Sequence, residues 1–571
     1  MSEILPARSM PLEIIPDDVT LAQFMLDRSH PYRPTRPAGV PWLIEESTGR
    51  AVALEEIRER VFGLANALSF KYGIGENDVV SLFSPNHMDY VVAVWAVHRL
   101  GGALTLSNPA FMADELQHQL IETKVKLVIA HSLSLEVAHT AAALSGISSD
   151  RVVILDDAEK PGTLTVPSLI REGLSQKANF VERRLAPGEG KTKIAFFCFS
   201  SGTTGKPKAV VIQHYAPIAN ILQLALHFRI HEDYAPWDQR RNRPGDVHLA
   251  CLPFFHVYGL IFSVHYYIFA AMSLVVVPKF TFKGMLEGIV RYKITHLALV
   301  PPQIVLLCKS PETKKYDLSS VRVAGFGAAP VSAELTNQLI AVIPQAVTGQ
   351  GFGMTELATL TLMFPLEARH GIPGSAGRLM PGCVAKVVKS DGTLAKRGEP
   401  GEFVIKSPSV ALGYFNNPTA TAETFVDGWV RSGDEVIVDE EDNFFIVDRL
   451  KELIKVRGFQ VAPAELEAHL LAHPSVADAC VVGLPDEYSG EVPLAFVVRQ
   501  PKVASANPED LRAEIKKYVA DTKVYYKHLV GGVEFVDEIP KTPSGKLLRR
   551  VLKTRAKEIL AERAAAVHTK L

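Results

Sequence analysis

From about residue 50 to residue 350, short apolar runs alternate with longer stretches whose apolar positions recur at helical spacing. "VVSLFSP", "KLVIAHS", "RVVILDD", "IAFFCFSSG", "HLACLPF", "SLVVVP", "HLALVPP" and "VRVAGFGAAP" each end in or near Pro, Gly, Ser or Asp. They read as buried strands, and "YVVAVWAVHRLG" reads as one of the helices between them. Strands that are apolar along their whole length and separated by helices predict mainly parallel sheets covered on both faces. In such sheets ligands gather beyond the carboxyl ends of the strands. "SSGTTGKPK", which follows directly on "IAFFCF", stands at such a place.

Beyond about residue 380 the pattern shortens and alternates. "GEFVIKSPSVALGYF" and "DEVIVDEEDNFFIVDR" predict antiparallel strands of a small β-rich subdomain. After "DRLKELIK" a compact α+β region follows. Its helix "PAELEAHLLAHP" opens at Pro463 and closes before Pro474. A second, "NPEDLRAEIKKYVAD", has Asn507 as its cap and places Leu511, Ile515 and Val519 on one face. The α/β chain therefore divides into a large N-terminal domain, residues 1–449, and a small α+β C-terminal domain, residues 450–571.

With 571 residues the chain exceeds what one hydrophobic core usually organises. Its 61 Lys and Arg balance 62 Asp and Glu, so no basic field is present for a nucleic-acid partner. The five cysteines are odd in number, widely spaced and set among apolar neighbours, a pattern of reduced core thiols in an intracellular protein. "LIFSVHYYIFAAMSLVVVP" carries no charged residue, but its histidine and tyrosines mark it as a buried helix followed by a strand, not a transmembrane segment. The last three residues, "TKL", approach a peroxisomal address, so the expected location is cytoplasmic or peroxisomal.

The loop "SSGTTGKPK" has the composition of an anion cradle: glycines free the main-chain N–H groups, hydroxyls add donors and lysine adds charge. A Walker loop needs glycine five residues before Gly205 and Ser or Thr after Lys206; the chain has Ser200 and Pro207 there. A flexible surface loop has the same composition, so the loop alone decides little. "GQGFGMTE", "RSGDEV", "DRLKELIKVRGFQVAPAELE" and "PKTPSGKLLRR" follow it in order. Together the five motifs resemble those of the adenylate-forming enzymes, with "FFHVYGL" and "GFQVAPAELE" most similar to the branch of 4-coumarate–CoA ligases and luciferases. The resemblance covers about residues 40 to 555.

That resemblance implies a two-step reaction in which a carboxylic acid and ATP give an acyl-adenylate and pyrophosphate, and coenzyme A then displaces AMP. It implies that Ser200, Ser201, Gly202, Thr203, Thr204 and Lys208 hold the phosphates, and that Gln350 and Gly351 border adenine and acyl group. Thr355 would donate to the α-phosphate and Glu356 would bind Mg²⁺. Asp434 and Arg449 fall on the ribose, and Lys546 on the α-phosphate and carboxylate. His256 and Tyr258 correspond to the aromatic pair at the acyl pocket and thiol entrance, with Phe262, Gly327, Ala328 and Met363 along the pocket. Lys451 and Lys455 correspond to adenylate contacts, and Lys279, Arg457 and Gly458 to coenzyme A contacts. Arg457 stands where lysine is common, and "TELATLTLM" lacks the glycine usual after the glutamate. The bulky apolar wall this gives predicts a compact aryl or medium-chain acid. Another fate of the adenylate, by luciferase-like oxidation or carrier-protein loading, and a non-catalytic nucleotide sensor remain open at this level. The oligomeric state is not legible.

Overall fold

The computed structural model describes residues 5–568 apart from 8–11, 13, 14, 159, 201–206, 458, 487, 543 and 544. The expected strands form, and they assemble into four sheets. In the first, Ala103–Ser107, Val79–Phe83, Val125–Ala130 and Val152–Ile154 continue in parallel from Ile194–Ser200. Lys208–Gln213 and Gly413–Tyr414 extend its other edge antiparallel. The second sheet has a parallel centre of Leu43–Glu45, Ser273–Val276, Val247–Ala250, His296–Leu299, Val323–Phe326 and Val347–Met354. Antiparallel hairpins close both of its edges.

The helix Tyr90–Arg99 is buried at every position from Tyr90 to His98, as expected for a segment apolar all round. Its Trp95 indole donates to His265 Nε2 at 3.1 Å. His265 lies in the uncharged segment that the sequence marked as a buried helix. Tyr258–Tyr266 is wound as a π-helix, Tyr267–Phe269 adds a helical turn, and Ser273–Val276 is the following strand. Among the described residues no helix is long and apolar enough to cross a membrane.

The alternating segments beyond residue 380 form a six-stranded antiparallel sheet that includes Val384–Val388, Gly401–Lys406, Trp429–Val438 and Phe444–Arg449. The chain then leaves this sheet, and Ile454–Val456 begins a separate five-stranded one. The helices Pro463–Ala472 and Pro508–Ala520 pack on that last sheet. Asn507 caps the second by accepting from Glu509 N, and Leu511, Ile515 and Val519 enter the core. Several contacts dock this region on the rest of the chain, among them Ala464 N, which donates to Asp448 Oδ2 at 2.9 Å. Lys309 Nζ donates to the carbonyls of Leu471 at 2.6 Å and Val476 at 3.3 Å. Gly545 sits against Val300 and Pro302 so closely that an added Cβ would lie 3.2 Å from Val300 Cβ.

Five fully buried histidines, His98, His214, His248, His265 and His296, are held neutral by burial. His98 and His248 are pushed down to about 3, His265 and His296 to about 4, and His214 well below its usual range. A depressed folded pKa leaves the unfolded chain with more protons, so this stability is complete above pH ~6.5 and fades as pH falls toward about 4. Asp434, raised to about 6, takes up one compensating proton in the native state. The thermal midpoint should therefore fall steadily between pH 7 and 5, with net proton uptake on unfolding. A flat profile over that range would show that the histidines do not govern acid stability.

Candidate active site

The strand Ile194–Ser200 and the returning strand Lys208–Gln213 pair antiparallel, with Ser200 directly opposite Lys208. This pairing pins both ends of the glycine-rich loop. Ser201, Gly202, Thr203 and Thr204 lie outside the described residues. Lys208 Nζ stands 4.9 Å from the ring centroid of Tyr414, within cation–π range.

Val347–Met354 and Thr359–Met363 form a hairpin whose register pairs Gly351 with Met363 and Met354 with Thr359. Gly353 is required here, since a Cβ would come 1.9 Å from the Thr359 carbonyl oxygen. The turn between the strands has Thr355 and Glu356 in a single 3-10 turn, followed by Ala358 at φ +49° and Thr359 at φ +127°. Two consecutive non-glycine residues with positive φ store strain, which the surroundings must hold in place. Thr359 Oγ1 donates to the Val257 carbonyl at 3.1 Å and so ties the hairpin to the start of the π-helix. Glu356 Oε1 accepts from the Tyr414 hydroxyl at 2.7 Å, and the Glu356 carbonyl accepts from Ala411 N at 2.9 Å. Gln350 Oε1 accepts from Val331 N at 3.1 Å, steadying the loop that contains Gly327 and Ala328.

Asp434 and Arg449 face each other as register partners in the six-stranded sheet, with Arg449 Nε 3.7 Å from Asp434 Oδ1. Lys546 arrives from the far end of the sequence on a loop that closes on itself. Thr542 N donates to Lys546 O and Gly545 N to Thr542 O, each at 2.8 Å. Gly545 turns at φ +82°. Lys546 is lowered to about 8, first by burial and then by Arg449, while Glu356 and Asp434 favour its charged form. Asp434 is raised to about 6 by burial, with Arg449 and Lys546 pulling the other way. Four groups from four separate segments thus share one electrostatic environment.

Lys546 also lines a cleft with about 520 Å³ of empty space, open to solvent. His256, Tyr258, Phe262, Gly327, Ala328 and Thr355 line it, together with Gly351 and Met363. Burial and the nearby Lys546 lower His256 to about 3, so its ring is neutral. Its Nδ1 accepts from Tyr258 N at 3.2 Å, which leaves the proton on Nε2. Tyr258, Phe262 and Tyr266, spaced four residues apart along this helix, stack in succession with ring centroids 5.5 and 5.7 Å apart. Behind them His248 bonds Ser263 at 2.8 Å, and Asn242 joins the Tyr266 hydroxyl to His296. The apolar wall thus has a hydrogen-bonded backing.

The remaining expected residues do not line this cleft. Lys279, Lys451, Lys455 and Arg457 are exposed. Arg457, at φ +50°, donates to Ser489 Oγ and lies over Tyr488. Gly458 is outside the described residues. Sequence reasoning missed Thr359 and Leu360, which line the cleft, and Tyr414, which touches Glu356. Thr359 and Leu360 were within reach, as they lie in the same "TELATLTLM" run; nothing local distinguishes Tyr414 from any strand aromatic.

Residues 32–415 match the model of the AMP-binding enzyme family, and residues 465–546 match that of the AMP-binding enzyme C-terminal domain. The chain belongs to the AMP-binding enzymes. It is 37% identical over 529 residues to 4-coumarate–CoA ligase 2 of Oryza sativa subsp. japonica, covering 90% of this chain and 89% of that one. Identity to 4-coumarate–CoA ligase 1 of Arabidopsis thaliana is 34% over 570 residues, covering 97% and 96%. Among solved structures, ATP-bound MatB from Rhodopseudomonas palustris aligns with a TM-score of 0.80 at 26% identity, covering 95% of this chain and 99% of that one.

The two shifted groups set a pH dependence. Asp434 loses its acceptor charge as pH falls through about 6, and Lys546 loses its cation as pH rises through about 8. kcat/KM for ATP, which reports the free enzyme, should therefore be bell-shaped with limbs near those values. Asp434→Asn should remove the acid limb. An unchanged acid limb in that variant would assign it elsewhere.

Proposed function

We propose that this AMP-binding enzyme is an ATP-dependent acid–CoA ligase, forming an acyl-adenylate and then an acyl-CoA thioester from an aryl or medium-chain carboxylic acid. The observation that carries the reading is that Lys546 lines the cleft beside Thr355 and at the same time shares one electrostatic environment with Glu356, Asp434 and Arg449. Those residues supply cations, donors and a sugar-binding acid, the groups that joining an acid to a nucleotide requires.

In the first step a carboxylate oxygen bonds to the α-phosphorus of ATP as the bond to pyrophosphate breaks. Lys546 spreads its charge over the α-phosphate and the attacking carboxylate, and Thr355 donates to the same phosphate. Ser200 and Lys208, with Ser201, Gly202, Thr203 and Thr204 between them, receive the departing pyrophosphate. Asp434 accepts from the ribose hydroxyls, Arg449 supports it, and Gln350 with Gly351 separates the nucleotide from the acyl group. Mg²⁺ accompanying ATP would be held by Glu356 and would neutralise phosphate charge. One oxygen of that carboxylate bonds Tyr414 and the other has no hydrogen-bond donor among the described residues, a donor set that suits a cation carried by phosphate oxygens. No group of three or more His, Cys, Asp or Glu among the described residues could hold a metal unaided.

In the second step the thiol sulfur of coenzyme A bonds to the carbonyl carbon and AMP leaves. Residues 450–571 rotate as a unit near Leu450 and Lys451, withdrawing Lys546 and bringing Lys455, Arg457 and Gly458 to the thiol entrance beside His256; Lys279 contacts coenzyme A from the large domain. Such closure orders two reactions at one site. Cytoplasm or peroxisome remains the proposed location, resting on the cysteine pattern and on the tail Thr569–Leu571, which lies outside the described residues.

Pyrophosphate release should depend on added carboxylic acid, and coenzyme A should then yield thioester. Release without use of coenzyme A would point to another acceptor, and no release would end the ligase reading. Lys546→Ala should lower adenylation by about 10²-fold or more, as for removal of an electrostatic catalyst, and spare thioester formation from supplied acyl-adenylate. Equal loss of both half-reactions would contradict the two-pose account.

The pocket wall gives a separate test. A Cβ on Gly351 would meet Met363 Sδ at 3.0 Å and Leu360 Cδ2 at 3.1 Å, so Gly351→Ala narrows the acyl side. It should raise KM for the acid several-fold more than KM for ATP, and most for the longest acids in a panel of cinnamate, phenylacetate and hexanoate. An equal rise for every acid would place Gly351 outside the acyl pocket.

A further inference from the structure

Tyr414 lies on a two-residue strand, Gly413–Tyr414, that pairs antiparallel with Val210 and Val211, directly beyond the glycine-rich loop. Three features fix it there. Phe415 N donates to the Ala209 carbonyl at 2.8 Å, and Tyr414 N donates to Thr421 Oγ1 at 3.0 Å. A Cβ on Gly413 would stand 2.7 Å from Thr421 Cγ2, so the chain passes closely only because that position is glycine. From this seat the Tyr414 ring receives Lys208 on its face, and its hydroxyl donates to Glu356 Oε1 at 2.7 Å. One side chain therefore touches both the flank of the loop and the acid of the 355–357 turn.

The chemistry of that hydrogen bond matters. A phenol donates one proton and brings no charge. Lysines stand close to this region: Lys208 over the Tyr414 ring, and Lys546, whose charged form Glu356 favours. Were either lysine to pair directly with the carboxylate, it would neutralise the negative charge. The phenol instead fixes one oxygen, keeps the full charge and leaves the other oxygen without a donor among the described residues. Groups that orient a metal-binding carboxylate in this way typically account for 10- to 100-fold in metal affinity.

From this geometry we infer that Tyr414 is a positioning residue: it holds the Glu356 carboxylate turned toward the cation of Mg·ATP and away from the lysines. The inference rests on the ligase reading, and the test separates the two. Thermal midpoints are measured for the full chain with saturating ATP over a Mg²⁺ titration, which follows binding without turnover. Wild type, Tyr414→Phe, Glu356→Gln and the double variant are compared. Phenylalanine keeps the ring beneath Lys208 and the backbone pairing, so the ligand-free midpoint should not move. The half-saturating Mg²⁺ concentration should rise about ten-fold or more in Tyr414→Phe. In the Glu356→Gln background the same change should have no further effect.

An unchanged half-saturation point in Tyr414→Phe overturns the inference while leaving the ligase reading intact. So does an equal shift with and without Glu356, which would mean that Tyr414 acts on the nucleotide by another route. If Tyr414→Phe lowers the ligand-free midpoint, the double-variant comparison still decides, because a purely structural defect would persist in the Glu356→Gln background. A wild type that gains no stability from ATP at any Mg²⁺ concentration removes both readings.

Discussion

The cleft must keep a lysine ammonium out of bulk water before any anionic substrate is there to receive it. Lys546 is lowered to about 8 and Asp434 raised to about 6, and burial is the first cause of both shifts. Neither charge would be tolerable alone in that setting. Each persists because groups of opposite sign surround it: Asp434 and Glu356 about Lys546, and Arg449 and Lys546 about Asp434. The same low-dielectric setting that makes these charges costly lets them act strongly on a developing phosphate or carbonyl charge. Since they come from residues 356, 434, 449 and 546, the balance exists only while two sheets and the loop that carries Lys546 are docked as they are.

Backbone geometry supplies that docking with little tolerance. Gly353 allows the Val347–Met354 strand to pass the Thr359 carbonyl, and Gly545 allows the lysine loop to seat on Val300 and Pro302. Ala358 and Thr359 hold left-handed φ values in the turn after the glutamate. Thr359 is restrained by its bond to Val257, the residue that begins the helix carrying the aromatic side chains of the cleft. Strain in the turn that carries Thr355 and Glu356 is thereby coupled to the aromatic wall of the cleft.

Much of the fold was legible because burial on both faces of a parallel sheet leaves a period-free apolar run, which strands such as Val79–Phe83 and Ser273–Val276 show plainly. The helix Pro508–Ala520 was equally open to reading, from its asparagine cap and from Leu511, Ile515 and Val519 at helical spacing. The candidate site is legible through its ordered motifs, which single out Thr355, Glu356, Asp434, Arg449 and Lys546. Three things are not. The π-helical winding of Tyr258–Tyr266 has no signature distinct from any apolar helix. The positive φ of Ala358 and Thr359 is imposed by the hairpin register, against the local preference of both residues. Tyr414 reaches Glu356 across 58 positions of sequence, by strand pairing that no local pattern announces.

All of this converges on one chemical claim: a carboxylate oxygen becomes bonded to the α-phosphorus of ATP in the cleft beside Lys546. Following that atom tests it most directly. With the acid labelled with ¹⁸O in both carboxylate positions, a full turnover with ATP and coenzyme A should leave one labelled oxygen in each AMP and one in the thioester carbonyl. AMP without label, or ADP as the nucleotide product, would contradict the account.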